Sequence, residues 1–164
     1  ALAEASRQLP SDWRVLIVGG VEGDLAPLRQ FVKTQQLDRV LLVPHQSRTH
    51  LLDYVAAADV LVLPNSAKTA ISRLYTSPLK LFEYLAAGRP IVASDLPSIR
   101  EVVSEKEVIS VKPDDPQDLA RGIREAVEQP QDARIAAALA LAKHHTWEAR
   151  GKIILEFLGQ SVND

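Results

Sequence analysis

Five short apolar runs set the fold of this chain: WRVLIVGG (13–20), DRVLLVP (38–44), DVLVLPN (59–65), RPIVASD (89–95) and EVISVKP (107–113). A short unbroken apolar run closed by a turn residue is what a strand buried on both faces requires. Between the runs lie stretches of helical spacing. LAPLRQFVKTQQL places apolar residues at 25, 28, 31 and 32, THLLDYVAAA covers 49–58, SPLKLFEYLAAG covers 77–88, LPSIREVVS is a short helix, and DPQDLARGIREAVEQ covers 115–129. Residues 131–159 read as helical throughout, and ALAEASRQLP reads as the tail of a helix entering the first strand. Strand and helix in alternation predict an α/β fold, a parallel sheet with helices on its faces joined by right-handed crossovers.

At 164 residues and 46% hydrophobic, the chain is long enough to bury a real core. Its net charge of -2 gives no basic surface for nucleic acid, and no apolar run is long enough to span a bilayer. No cysteine is present, which excludes disulfides and thiolate metal sites and fits a reducing compartment. The four histidines are scattered, so no metal is expected. No methionine is present either, and this predicts a piece of a longer polypeptide or a trimmed domain.

Parallel sheets bind ligands outside the carboxyl ends of their strands, so the loops at 19–24, 44–48, 64–77 and 94–98 carry the information. One of them leads into SPLKLFEYLAAGRP. Ser77 suits an N-cap, Pro78 the first helical position, and Gly88 and Pro90 the far end, which predicts a helix over 78–87. Leu79, Phe82, Leu85 and Ala86 are expected to pack on the sheet, with Lys80 and Glu83 on another face. A cation at a helix start opposes the dipole and costs about 0.3–1 kcal/mol on its own. A bound anion reverses that sign, because free N–H groups and Lys80 then converge on it. Glu83, a turn deeper, is placed to accept hydrogen bonds from a vicinal diol. A phosphate and a ribose one turn apart make a nucleotide; the other reading of the same residues is a solvated Lys80–Glu83 pair.

The block ADVLVLPNS…TSPLKLFEYLAAGRPIVASDLPSIREVV resembles the donor-binding half of GT-B glycosyltransferases, the retaining group-1 (family 4) class. VLIVGG, LLVP…LLDYVAAADVLVLP and the closing TWEARGKIILEFL extend the likeness over essentially the whole chain. The resemblance implies a Rossmann-like three-layer domain, the C-terminal half of a GT-B fold, over residues 1–164, with an N-terminal acceptor domain outside this chain. It implies that Glu83 binds the ribose and that the N–H groups of Leu79 and Lys80, at the helix start formed with Ser77 and Pro78, bind the diphosphate. The family's first signature glutamate falls on Tyr75, where the chain departs from the pattern. Tyr75 either offers its hydroxyl to the sugar or packs. The family places the nucleobase near Val43 and His45, whose backbone groups could read its edge.

Other residues carry two readings each. GGVEGD (19–24) lacks the dinucleotide fingerprint; Gly19 and Gly20 either bring the backbone close to a ligand or make a tight turn. Ser94 and Asp95 either contact ligand or, for Asp95, cap the helix that follows, on which Arg100 and Glu101 are placed to pair. Arg73 is either a phosphate contact or an exposed loop residue, and His50, His144 and His145 read as surface residues.

The expectation is a glycosyltransferase domain that binds a nucleotide-diphospho-sugar as substrate, without cofactor or metal. The acceptor, a glycan, lipid or other hydroxyl, would come through the other domain, so this chain alone would bind and not transfer. Its catalytic residues are not assigned. Polysaccharide biosynthesis at a cytoplasmic site, with the other domain at the inner face of a membrane, is the expected setting. A sugar-nucleotide epimerase of the same architecture and a non-catalytic nucleotide-binding module are the alternatives.

Overall fold

A computed structural model describes residues 1–76 and 79–159. The five apolar runs form the strands β1 (Val15–Val18), β2 (Val40–Val43), β3 (Leu61–Leu63), β4 (Ile91–Ser94) and β5 (Ile109–Val111). The helices are α1 (Leu2–Ala5), α2 (Glu22–Thr34), α3 (Arg48–Ala57), α4 (Leu79–Leu85), α5 (Pro97–Arg100), α6 (Pro116–Glu128), α7 (Asp132–Ala142) and α8 (Trp147–Phe157). All strand pairs are parallel, but they form two sheets, β1-β2 and β3-β4-β5.

Strand β4 shows how the layers are divided. All four of its residues are buried. Val92 joins a core with Ile109, Val111, Leu119, Ala120 and Ile123, while Ile91 and Ala93 join a second core with Leu63, Leu81, Leu85 and Ile99. Successive side chains of a strand point to opposite faces, so one short segment feeds both layers. Each fully buried Leu, Ile or Val contributes about 1.5–3 kcal/mol.

Helix α6 packs closely on the sheet. Asp115 caps it by accepting from the N–H groups of Gln117 and Asp118, at 3.0 and 3.1 Å, and Pro116 occupies the first turn. Its buried stripe is Leu119, Ala120, Gly122, Ile123 and Ala126. A Cβ on Gly122 would lie 2.5 Å from Val111 Cγ1 and 3.1 Å from Val92 Cγ1, so the glycine sets how closely the helix approaches the sheet. The amino-terminal segment is held by Arg39, whose guanidinium donates to the carbonyls of Ser6, Leu9 and Pro10 at 2.7, 2.8 and 2.5 Å.

Several expectations change. The helical stretch after residue 131 breaks between α7 and α8, where the Thr146 side chain caps α8 by accepting from the Ala149 N–H at 3.1 Å. The segment 64–77 contains a π-helical turn, Ile71–Tyr75. Thr76 Oγ1 donates to the Ile71 carbonyl at 3.0 Å, and Ser98 Oγ ties the turn to α5 by donating to the Ser72 carbonyl at 3.3 Å. In α4 the buried residues are Leu81 and Leu85, whereas Leu79 is 65% exposed and Ala86, just beyond the helix, is also exposed. Of the four residues expected to pack, Leu85 is buried and Phe82 packs half-buried against the core, while Leu81 is buried in place of Leu79 and Ala86. No helix among the described residues is long and apolar enough to cross a membrane.

Candidate functional site

The two sheets flank a groove of about 750 Å³. Leu16, Val18, Gly19 and Gly20 line it from β1 and the turn after it, and Val60, Leu61 and Val62 from β3. Helix α3 contributes Leu51, Tyr54 and Val55, and α4 contributes Lys80, Glu83 and Tyr84. His45 and Gln46 line it from the loop after β2, and Trp13, Arg14 and Ile123 line it further along.

This geometry brings together Gly19, Gly20, His45, Lys80 and Glu83, which lie far apart in sequence. The two glycines have φ values of 116° and 88°, conformations that a side chain disfavours, so the turn keeps its backbone bare toward the groove. Lys80 and Glu83 are exposed on one helix, and among the described residues no ion pair joins them. The solvated i,i+3 pair is thus not formed, and a cation and a carboxylate both face the same space. Burial, and then the charge of Glu83, push the Tyr84 phenol above its ordinary range, so it stays a neutral hydroxyl.

The remaining expected residues divide. Ser77 and Pro78 lie outside the described residues. Leu79 and Tyr75 are exposed, Tyr75 at 77%, and neither lines the groove. Val43 does not line it either; its carbonyl accepts the Gly19 N–H at 3.0 Å. Ser94 is buried within β4. Asp95 does not cap α5, whose N-cap position is Leu96; its carboxylate is paired with Arg100, which is therefore not paired with Glu101. Arg73 is exposed on the π-helical turn, and His50 and His144 are exposed. His145, also exposed, sets its ring 5.2 Å from that of Phe82. Among the described residues no group of three His, Asp or Glu side chains converges as a metal site would need.

Tyr54, Tyr84 and Gln46 were missing from the sequence expectation. Tyr84 follows Glu83 directly, and Tyr54 follows Leu51 by one helical turn, but nothing in either spacing separates a groove tyrosine from one that packs.

A family model described as glycosyl transferases group 1 matches residues 1–129, and the chain belongs to that family. A relative in Bacillus subtilis, a putative teichuronic acid biosynthesis glycosyltransferase named TuaH, is 26% identical over 161 residues, which is 96% of this chain and 39% of the relative. A D-inositol 3-phosphate glycosyltransferase of Streptosporangium roseum is 32% identical over 115 residues, covering 68% of this chain and 25% of the relative. The chain thus spans well under half the length of these curated relatives. Among solved structures, Anabaena Alr3699/HepE in complex with UDP-glucose superposes with a TM-score of 0.78 at 23% identity, over 96% of this chain and 44% of that one. Sucrose-phosphate synthase from Thermosynechococcus elongatus gives 0.70 at 21% identity, over 97% of this chain and 49% of that one. These likenesses establish the fold, parallel sheets flanked by helices in the Rossmann-like manner of GT-B glycosyltransferases.

Proposed function

We propose that this chain is the nucleotide-sugar-binding part of a retaining glycosyltransferase, which moves a sugar, of the hexose class, from a nucleotide-diphospho-sugar to an acceptor hydroxyl. The observation that carries the proposal is the convergence of Gly19, Gly20, His45, Lys80 and Glu83 on one groove. Glu83 accepts the ribose hydroxyls. Lys80 neutralises the diphosphate, with the N–H groups at the start of α4 beside it. The bare turn at Gly19–Gly20 lets the phosphate or sugar approach the backbone. The loop at His45 meets the nucleobase.

Catalysis in this scheme is mainly electrostatic. A nucleoside diphosphate leaving group gains negative charge as the bond to the sugar breaks, and a cation beside it stabilises that charge more in the transition state than in the ground state. No protein nucleophile is assigned. The acceptor comes through the part of the enzyme outside this chain, and the setting is cytoplasmic polysaccharide or glycoconjugate assembly. Metal is not part of the scheme.

The exposure of Tyr75, off the groove, favours one second reading: a nucleotide-binding module that does not position the sugar. Saturation-transfer NMR with UDP-, GDP- and ADP-glucose separates the two. Signal on both the ribose and the glucose protons of at least one of them supports the donor site. Signal on the ribose alone supports the module, and signal from none of the three contradicts both.

A further inference from the structure

Hydrogen bonds from elsewhere in the chain hold the segment between β3 and α4 at Ala67 and at Ser72. None of residues 64–76 is buried, and Ile71 and Tyr75 on the π-helical turn are exposed. Burial therefore does little to fix the segment, although Ala67 packs half-buried against the second core. Ser98 makes the tie at Ser72. The tie at Ala67 is Asp114, whose carboxylate accepts the Ala67 N–H at 2.8 Å across 47 residues of sequence. A hydrogen bond from the Ser66 side chain is the largest cause holding the Asp114 carboxyl below its ordinary value, and the Ala67 N–H and the charge of Lys68 act in the same direction. The Ser66 hydroxyl in turn accepts the Lys68 N–H at 3.2 Å, so Asp114 gathers three consecutive residues.

Asp114 stands on a fixed corner. It lies between β5 and α6, where the Asp118 carboxylate accepts the Lys112 N–H at 2.6 Å, Lys112 pairs with Asp115 at 3.7 Å, and Asp115 caps α6. Its own φ is 58°, left-handed backbone that glycine occupies at lower cost than a residue with a side chain. The backbone at this position disfavours a side chain, and the side chain present is one that bonds across to another segment.

We infer that Asp114 is a positioning residue for the donor site: it holds residues 64–76 on the β5–α6 corner, so that the first turn of α4, with Lys80, stands where the diphosphate arrives. The inference rests on the nucleotide reading above. The segment leaves β3 at its carboxyl end, the ligand side of a parallel sheet, and leads to the helix that carries Lys80 and Glu83. Leu81 and Leu85 anchor α4 further along, whereas Leu79 and Lys80 in its first turn are exposed and take their position from the segment before them. A surface segment without buried residues opens at little cost, so hydrogen bonds to a carboxylate decide which arrangement is populated. Binding that needs the held arrangement weakens as that population falls.

The test compares the chain with Asp114→Gly and Asp114→Asn by limited trypsin digestion, with the cut sites mapped by mass spectrometry, and by calorimetric titration with UDP-, GDP- and ADP-glucose. Glycine keeps the left-handed backbone and removes the carboxylate; asparagine tolerates that backbone and keeps an acceptor oxygen. Cleavage after the exposed Lys68 and Arg73 should be faster by at least about fivefold in Asp114→Gly and close to the parent's rate in Asp114→Asn. The donor that the parent binds should bind Asp114→Gly at least about threefold more weakly and Asp114→Asn as before. An unchanged or raised melting temperature is expected for Asp114→Gly; a lowered one makes Asp114 a general stabiliser and overturns the local role. Cleavage of Asp114→Gly at the parent's rate overturns the tie. Faster cleavage with unchanged donor affinity overturns the positioning role and leaves the nucleotide reading standing. Failure of the parent to bind any of the three donors overturns that reading and the positioning role with it, while the cleavage rates still decide the tie.

Discussion

The Gly19 N–H donates to the Val43 carbonyl at 3.0 Å, one step beyond the last residue of β1 and at the last residue of β2. The bond extends the ladder into the turn and leaves Gly19 and Gly20, with φ values of 116° and 88°, at the rim of the groove.

Alanine at Gly20 is expected to destabilise the chain by about 1–3 kcal/mol, the usual cost of holding a side chain in a sparsely populated backbone region. Urea denaturation checks this. A built Cβ at Gly20 lies 3.4 Å from Leu25, an ordinary contact, so the loss comes from the backbone and a smaller aliphatic at position 25 does not rescue it.

Gly122 predicts a loss of a different origin. Its φ is ordinary, but a Cβ meets Val111 Cγ1 at 2.5 Å, and a β-branched valine in a buried strand has little room to give. Gly122→Val should cost about 1–3 kcal/mol by overpacking. Gly151→Ala, in α8 with nothing within 4 Å of the new Cβ, should show no such loss. Thermal denaturation of the two variants beside the parent distinguishes packing from helix propensity.

Stability should fall in acid partly through Asp118. A hydrogen bond from the Arg121 side chain is the largest cause holding its carboxyl below the ordinary value, and the Lys112 N–H, donating at 2.6 Å, adds to it. A depressed folded-state pKa means that the unfolded chain binds the proton first as pH drops. The contribution is therefore complete above the unfolded value of about 3.9 and is lost as pH falls through the folded value. Asp118→Asn should flatten the dependence of stability on pH below about 4, measured by denaturation across pH; an unchanged profile would contradict the assignment.

Much of this architecture was legible in the sequence because a short apolar run closed by a turn residue marks a strand, although burial on both faces, expected of all five, fails at Leu16 of β1 and Leu41 of β2, each 46% exposed. LIV, LLV, LVL, IVA and ISV each fall inside a run bounded by glycine, proline or charge. The π-helical turn at Ile71–Tyr75 was not, because a single turn has no period to detect and its ties, Ser98 to Ser72 among them, come from distant residues. The break before α8 had a local signal, Thr146 ahead of Trp147 and Glu148, masked by the alanine-rich helix preceding it. The face of α4 was read correctly at Phe82 and Leu85 but not at Leu79, because Leu79 and Leu81 are equally apolar and only the position of the sheet decides which is buried. The division into two sheets could not be read at all, since strand pairing across β1 and β3 is a non-local choice. At the site, Lys80, Glu83 and the two glycines stood out because each breaks a local rule, a cation at a helix start or a bare backbone after a strand. Tyr54 and Tyr84 break none, and Tyr75 was singled out only by its place in the family pattern.

Calorimetric titration of the chain with UDP-, GDP- and ADP-glucose, repeated with Glu83→Ala, tests the central claim most directly. At least one nucleotide sugar should bind with a dissociation constant below about 1 mM. Loss of the ribose contact in Glu83→Ala, about 1.5–3 kcal/mol for hydrogen bonds to a charged group, should weaken it by about tenfold or more. No binding by any of the three, or an affinity that Glu83→Ala leaves unchanged, would contradict the account.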